Sequence, residues 1–188
     1  MRVKIGVSAR HVHVTKDDVK ILFGENYKLI KKKDLSQPGQ YACCEQVTIK
    51  GPKGIIENVR ILGPERKQTQ VEISKTDTFK LGIDAPVRLS GDLSDAEEIT
   101  IIGPKGEITK KAAIVAARHV HVSVKEAIKY GLKDKMTVKL VINTQRGGIL
   151  NNVYVRVSDK YSFEVHLDTD EANALSLKNG DEQELIIE

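Results

Sequence analysis

Hydrophobic and polar residues alternate over short stretches along most of the chain, with the two-residue period of a half-buried β-strand. The clearest stretches are Gln46–Ile49, Val59–Leu62, Val71–Ile73, Val87–Leu89, Ile99–Ile102, Thr137–Val141 and Val153–Val157. Turns rich in glycine and proline separate them, and the tetrapeptide Gly-Pro-Lys-Gly occurs twice, at 51–54 and 103–106. Short strands joined by tight turns predict a barrel or sandwich architecture.

Helical signals are few and short, and they occur in four segments: 15–24, 76–82, 123–131 and 168–175. The first shows the signature clearly, because Thr15 is a typical N-cap residue, acidic residues follow it, and Gly24 ends the segment. We therefore predict a mainly β fold with a few short helices. None of them is long enough to span a membrane.

The most informative feature is an internal repeat. Three blocks match in the same order: 8–14 with 116–122, 54–59 with 148–153, and 71–73 with 165–167. The first pair of blocks shares six of seven residues, and the other two pairs have a common offset of 94 residues. Thr76-Asp77 also matches Thr169-Asp170, with a one-residue slip. The repeat predicts two related β-barrel domains from a duplication, at residues 1–90 and 91–188, with an exchange of strands between the halves left open.

Composition narrows the possible functions. Hydrophobic residues make up 40% and charged residues 30% of the 188-residue chain, which is typical of a globular protein. A net charge of +4 and an aromatic content of 4% are low for a nucleic-acid-binding protein, so no nucleic-acid partner is expected. Neither a transmembrane stretch nor the apolar core of a signal peptide is recognisable, which predicts a cytoplasmic location without a membrane partner.

Four of the five histidines form two His-x-His pairs, His11 with His13 and His119 with His121. On a strand, residues i and i+2 point to the same face, so each pair directs two imidazoles to one point. Imidazole is a common ligand of zinc, although cobalt, nickel or iron would also accept it. Ordinary packing of histidines on a strand is the alternative interpretation.

The repeat supplies a third ligand for each pair, because it aligns the fifth histidine, His166, with Glu72. Two metal sites are thereby predicted: His11, His13 and Glu72 in the first half, and His119, His121 and His166 in the second. Three protein ligands with an open fourth position are typical of catalytic zinc. An exchange of ligands between the halves stays open at this stage.

Two other polar residues are candidates for anion binding. Arg66 lies in the polar segment that leads into the Glu72 strand, and its guanidinium suits a phosphate, although a solvated turn arginine is equally compatible. Ser90 follows a predicted strand where a turn begins. Arg10 and Arg118 precede the histidine pairs and suit structural ion pairs as well as a functional role.

Several long motifs resemble those of the PduL-type phosphotransacylases, also called phosphate propanoyltransferases. The matching segments are Val7–His13, Gln37–Cys43, Asn58–Arg66, Gln68–Glu72, Arg88–Gly91 and Ala117–His121. The resemblance covers essentially the whole chain. It implies two β-barrel domains, a two-zinc site between them, a homodimer, and the reversible exchange of coenzyme A for phosphate on a short acyl group, propanoyl or acetyl.

Residue by residue, the resemblance assigns the same two metal trios, Arg66 as a catalytic residue that binds phosphate, and Ser90 as an essential, catalytic residue. Cys44 departs from the charged residue expected beside Cys43. Many members carry an N-terminal extension that targets bacterial microcompartments. The chain begins with a strand, which favours a free cytoplasmic enzyme and leaves a microcompartment location open.

Two other functions remain alternatives. The first is a zinc hydrolase that cleaves a thioester or phosphoester, because an open metal site also activates water. The second is a non-enzymatic β-barrel module that binds RNA or protein and whose metals are only structural. The dependence of coenzyme A release on phosphate distinguishes the first alternative from acyl transfer. Salt-sensitive binding to nucleic acid would indicate the second.

Overall fold

The computed structural model describes residues 1–187 and is mainly β, with short helices, which confirms the predicted fold class. Its strands, β1 to β14 in chain order, are Arg2–Ser8, His11–His13, Lys31–Asp34, Tyr41–Lys50, Ile55–Gly63, Gln70–Ile73, Val87–Arg88, Glu97–Ile102, Glu107–Ala116, His119–Val122, Thr137–Ile142, Gly148–Val157, Glu164–Asp168 and Glu182–Ile186. Its helices, α1 to α4, are Lys16–Phe23, Lys75–Leu81, Val124–Tyr130 and Thr169–Ala174. Three of the four predicted helical segments contain one of these helices, and the fourth, 76–82, overlaps α2, which begins one residue earlier.

The chain forms two compact units. Unit 1 comprises residues 1–9, residues 36–38 and the chain from Ala117 onward, and unit 2 comprises Arg10–Leu35 and Gly39–Ala116. In unit 1, the strands β1-β13-β10-β12-β11-β14 close into a barrel. In unit 2, β9-β6-β2-β5-β4-β8 close in the same way, and β3 and β7 add to β4 and β9. Corresponding neighbours run in the same relative directions, as the duplication predicts.

The units differ from the halves 1–90 and 91–188 that the repeat suggested. β1 precedes the first histidine pair but closes the barrel of unit 1, whereas β9 precedes the second pair and closes the barrel of unit 2. Residues 1–9 therefore belong with the second histidine pair, and residues 91–116 with the first. The repeat cannot reveal this exchange, because both copies offer equivalent edges to the incoming strand.

The middle valine of each histidine motif fixes the direction of its neighbours. Val12 and Val120 are fully buried, each in the hydrophobic core of its own unit. Because side chains alternate along a strand, the flanking histidines point to the opposite face. These histidines are nevertheless also buried, so the two imidazoles of each pair are shielded from solvent.

Each unit contains an arginine that pairs with a carboxylate at the N-terminus of a helix. Arg10 donates from Nε and Nη2 to the two carboxylate oxygens of Asp77 at 2.8 Å, and Arg118 Nε lies 2.6 Å from Glu171 Oε1. Asp77 and Glu171 occupy the same N3 position of a capping box, in α2 and α4 respectively. The counterpart of Asp77 is therefore Glu171, without the one-residue slip expected from the sequence, and both arginines form structural ion pairs.

The two Gly-Pro-Lys-Gly turns end helices as well as joining strands. The backbone N–H of Lys53 donates to Leu81 O at 3.0 Å, and that of Lys105 donates to Leu22 O at 3.0 Å. These carbonyls belong to the last turns of α2 and α1, where they have no partner within the helix. A Cβ on Gly51 or Gly103 would clash with the same carbonyl oxygens, so the close approach requires glycine.

Candidate functional site

The first histidine pair and Glu72 converge in unit 2. Strands β2 and β6 are antiparallel, and their register places His11 directly opposite Glu72. Glu72 Oε2 lies 3.6 Å from His11 Nε2, and Glu72 Oε1 lies 4.0 Å from His13 Nε2. All three side chains are buried, and their potential ligand atoms lie within 4.8 Å of one another. A single metal ion could contact all three.

The second trio converges in the same way in unit 1. Antiparallel pairing of β10 with β13 places His119 opposite His166. The three ring centroids lie 4.6 to 5.2 Å apart, and the potential ligand atoms again lie within 4.8 Å of one another. Tyr161 stacks on His121 with a centroid distance of 4.1 Å. Each predicted trio is thus assembled within one unit, with no ligand exchanged between the two trios.

Hydrogen bonds to the backbone fix the tautomer of two of the histidines. His13 Nδ1 lies 3.2 Å from Leu62 O, and His119 Nδ1 lies 2.8 Å from Ala117 O. Since a carbonyl oxygen only accepts, each Nδ1 carries the proton and each Nε2 keeps a lone pair for a metal. Burial, His11 and Arg66 lower the pKa of His13 well below its usual value, so the ring is neutral, as a ligand must be.

The Glu72 carboxylate is ionised and held in place. Burial by itself raises its pKa, but the neighbouring His11 and hydrogen bonds from His11 and Ser90 outweigh burial and lower it well below the usual value. Gln70 Nε2 donates to Glu72 Oε1 at 2.5 Å. Two imidazoles and one carboxylate in unit 2, and three imidazoles in unit 1, are donor sets that fit zinc.

Arg66 and Ser90 meet beside this carboxylate. Arg66 Nη1 donates to Ser90 Oγ at 3.1 Å, and Gln70 Nε2 donates to the same oxygen at 2.9 Å. The N–H of Gly91 in turn donates to Gln70 Oε1 at 2.8 Å. A continuous hydrogen-bonded chain therefore joins the candidate anion-binding residue to the candidate metal ligand Glu72.

Comparison with known proteins gives the family. Residues 4–178 match the family model described as phosphate propanoyltransferase. The chain belongs to the phosphate propanoyltransferase family. A relative with that name from Thermotoga maritima is 54% identical, and the matched region covers 94% of this chain and 85% of the relative. Others are 52% identical in Priestia megaterium (95% and 83%) and 47% identical in Rhodobacter capsulatus (94% and 83%).

Membership of this family of acyltransferases confirms that the protein is an enzyme and sets aside the non-enzymatic binding module. It also confirms the resemblance seen in the sequence motifs. Within residues 1–187, no helix combines the length and the apolar character needed to cross a membrane.

The sequence analysis missed two residues of this acyltransferase that contact the predicted third ligands. They are Gln70 and Glu164, which are 94 residues apart, as are the ligands Glu72 and His166. Glu164 Oε2 lies 2.7 Å from His166 Nε2. Burial raises the pKa of Glu164, but hydrogen bonds from His166 and from the neighbouring segment 36–37 outweigh it and lower the pKa to about 2. The available signal was position, because each residue precedes its ligand by two on the same strand face.

Proposed function

We propose that the protein is a phosphate acyltransferase that reversibly converts a short acyl-CoA, propanoyl-CoA or acetyl-CoA, and phosphate into an acyl phosphate and CoA. Family membership supports the reaction type. The observation that carries the site assignment is the hydrogen-bonded chain from Arg66 through Ser90 and Gln70 to Glu72. It connects a group suited to phosphate with a group suited to a metal.

We propose one zinc ion in each unit. The ligands are His11, His13 and Glu72 in unit 2, and His119, His121 and His166 in unit 1. When bound, zinc supplies Lewis acidity that polarises the thioester carbonyl and stabilises negative charge on oxygen or on the departing thiolate. The buried donor sets and the neutral ring of His13 support this proposal.

Arg66 is the phosphate-binding residue in this proposal. Its planar guanidinium provides two parallel N–H donors, which match two phosphate oxygens better than an ammonium does. The main chain holds the residue in place, because Arg66 N donates to Val14 O at 2.8 Å, just after the first histidine pair. Phosphate bound by Arg66 would therefore lie beside the ligands of unit 2.

Ser90 positions Arg66, and through it the phosphate, rather than forming an acyl-enzyme. Its Oγ accepts from both Arg66 and Gln70, and its hydroxyl bonds to the Glu72 carboxylate, so all of its hydrogen-bonding capacity is directed within this chain of residues. A phosphate oxygen attacks the acyl carbon, the new C–O bond forms, and the C–S bond breaks to release the CoA thiolate. Direct attack requires both substrates to be bound together.

The test is CoA release from propanoyl-CoA and acetyl-CoA, with and without phosphate, after chelation and after zinc is restored. We expect release to need both phosphate and metal. Release without phosphate would instead indicate the hydrolase. No release by folded, zinc-loaded protein would overturn the proposal, and ping-pong kinetics would contradict direct attack.

A further inference from the structure

Glu164 is not one of the proposed metal ligands, but its surroundings indicate that it acts on one of them. Glu164 is 8% exposed, and one of its oxygens, Oε2, accepts three hydrogen bonds. The donors are Ser36 Oγ at 2.5 Å, Gln37 Nε2 at 3.1 Å and His166 Nε2 at 2.7 Å. A carboxylate accepts only, so His166 carries its proton on Nε2 and keeps the lone pair on Nδ1.

One of the donors to Glu164 is itself anchored. Gln37 is almost fully buried, and its side chain bonds to both backbone groups of Ser162, donating to the carbonyl and accepting from the N–H at 3.2 Å each. The segment 36–38 belongs to the same compact unit as Glu164. These contacts hold the carboxylate in place independently of the imidazole of His166.

A glycine on the neighbouring strand leaves room for the pair. Gly6 on β1 lies opposite His166 on β13. A Cβ at Gly6 would lie 2.9 Å from His166 Cδ2, which is closer than real Cβ atoms approach, and 3.0 Å from Glu164 Cδ, which is tighter than nearly all real Cβ contacts. The absence of a side chain at this position is thus a requirement of the Glu164–His166 contact itself.

We propose that Glu164 is a positioning residue that fixes the ring orientation and tautomer of His166, making Nδ1 its ligand nitrogen and strengthening metal binding by unit 1. Carboxylates that accept the second N–H of a ligating histidine have this effect in metalloproteins, and their loss typically costs roughly 10–100-fold in metal affinity. The inference rests on the proposed metal trio of unit 1.

The first test measures zinc affinity and stoichiometry by competition with a chelator. We expect Glu164→Ala to weaken one of two bound ions by roughly 10–100-fold and Glu164→Gln by less, because the amide oxygen still accepts from Nε2. The matched control is Glu182→Gln, which removes the same charge from a residue lining the same cavity as Glu164 and should retain wild-type affinity. Equal losses in Glu182→Gln and Glu164→Gln would overturn the proposal.

A second pair of variants leaves Glu164 in place. Gly6→Ala should displace the pair and weaken the same ion, whereas Gly148→Ala is the control, because its nearest neighbour would be Leu175 Cδ2 at 3.9 Å. Wild-type affinity in both Gly6→Ala and Glu164→Ala would overturn the proposal.

The tautomer can be read without any metal. Imidazole ¹⁵N shifts of the metal-free protein, recorded well above the usual histidine pKa, should show the proton of His166 on Nε2 in the wild type. A proton on Nδ1 would contradict the proposal. His119→Ala separates the two levels of inference: if it leaves zinc stoichiometry unchanged, the metal site of unit 1 fails and Glu164 with it. If it removes one ion and the Glu164 variants remove none, only the role of Glu164 fails.

Discussion

The two histidine clusters occupy equivalent positions in equivalent barrels, yet their hydrogen bonds have opposite polarity. In unit 2 the third residue is the carboxylate Glu72, and the side chain two positions earlier, Gln70, donates to it. In unit 1 the third residue is His166, and the side chain two positions earlier, Glu164, accepts from it. Gln70 and Glu164 lie opposite the second histidine of their pairs in the same register.

The difference shows what duplication preserves. Each unit places one carboxylate beside its imidazoles, but it is a candidate ligand in unit 2 and a partner of a candidate ligand in unit 1. The charge available to neutralise a cation is similar, whereas the atoms that would contact it differ. Unit 2 also carries Arg66 and Ser90 next to its carboxylate, which gives the proposed phosphate site to that unit.

The largest effect should come from removing the ligand carboxylate. Glu72→Gln replaces an anionic oxygen pair by an amide that faces the amide of Gln70. We expect loss of one zinc ion and a fall in turnover greater than the roughly 10–100-fold cost of losing a ligand's hydrogen-bond partner. Zinc analysis with CoA-release kinetics checks this, and retention of two ions would contradict the assignment of Glu72 as a ligand.

Arg66→Lys tests the phosphate site while keeping its charge. An ammonium cannot form the two parallel bonds of a guanidinium or reproduce its contact with Ser90. A hydrogen bond to a charged group contributes about 1.5–3 kcal/mol, so we expect the KM for phosphate to rise roughly tenfold or more. The KM for acyl-CoA serves as the internal control. A rise in that KM alone would move Arg66 from phosphate to CoA.

The comparison can be sharpened by giving unit 2 the two residues that unit 1 has at the equivalent positions. Glu72→His gives unit 2 a trio of histidines, but Gln70 then presents its N–H groups where an acceptor is needed. Adding Gln70→Glu recreates the arrangement of unit 1. We expect the double variant to bind zinc in unit 2 roughly tenfold more tightly than Glu72→His alone. Equal affinities in a chelator titration would show that the partner has no influence on the ligand.

Local periodicity was enough to predict much of this molecule from its sequence. The two-residue period identified parts of β4 to β8, β11 and β12. It also placed His11 and His13 on one face, because alternation is a property of the backbone. The repeat then aligned Glu72 with His166, and the strand register places each beside its own histidine pair.

Features that depend on long-range packing could not be predicted in this way. The exchange of β1 and β9 cannot be seen in the sequence, because the two barrels offer equivalent edges to which either strand could pair. Gln70 and Glu164 look like ordinary outward-facing polar residues, since a sequence pattern does not show that their face is buried. The contact between Arg66 and Ser90 joins residues 24 positions apart on separate loops, which no local pattern links.

The smallest effect concerns the ion pairs that repeat in the two units. Arg10 makes two hydrogen bonds to Asp77, whose side chain is 5% exposed, whereas Arg118 Nε pairs with a more exposed Glu171. Removing a cation from a buried carboxylate costs more than removing it from an exposed one, but Arg10 is itself 43% exposed, so water replaces part of the interaction.

We therefore expect Arg10→Gln to lower the free energy of unfolding by about 1–2 kcal/mol and Arg118→Gln by about 1 kcal/mol or less. Urea unfolding measures both values. Arg2→Gln is the control, because Arg2 is highly exposed and lies 3.8 Å from Glu182, so its loss should stay within about 0.5 kcal/mol of wild type. If Arg118→Gln lowers the free energy of unfolding more than Arg10→Gln does, then the number of hydrogen bonds and the burial of the carboxylate do not determine which ion pair contributes more to stability.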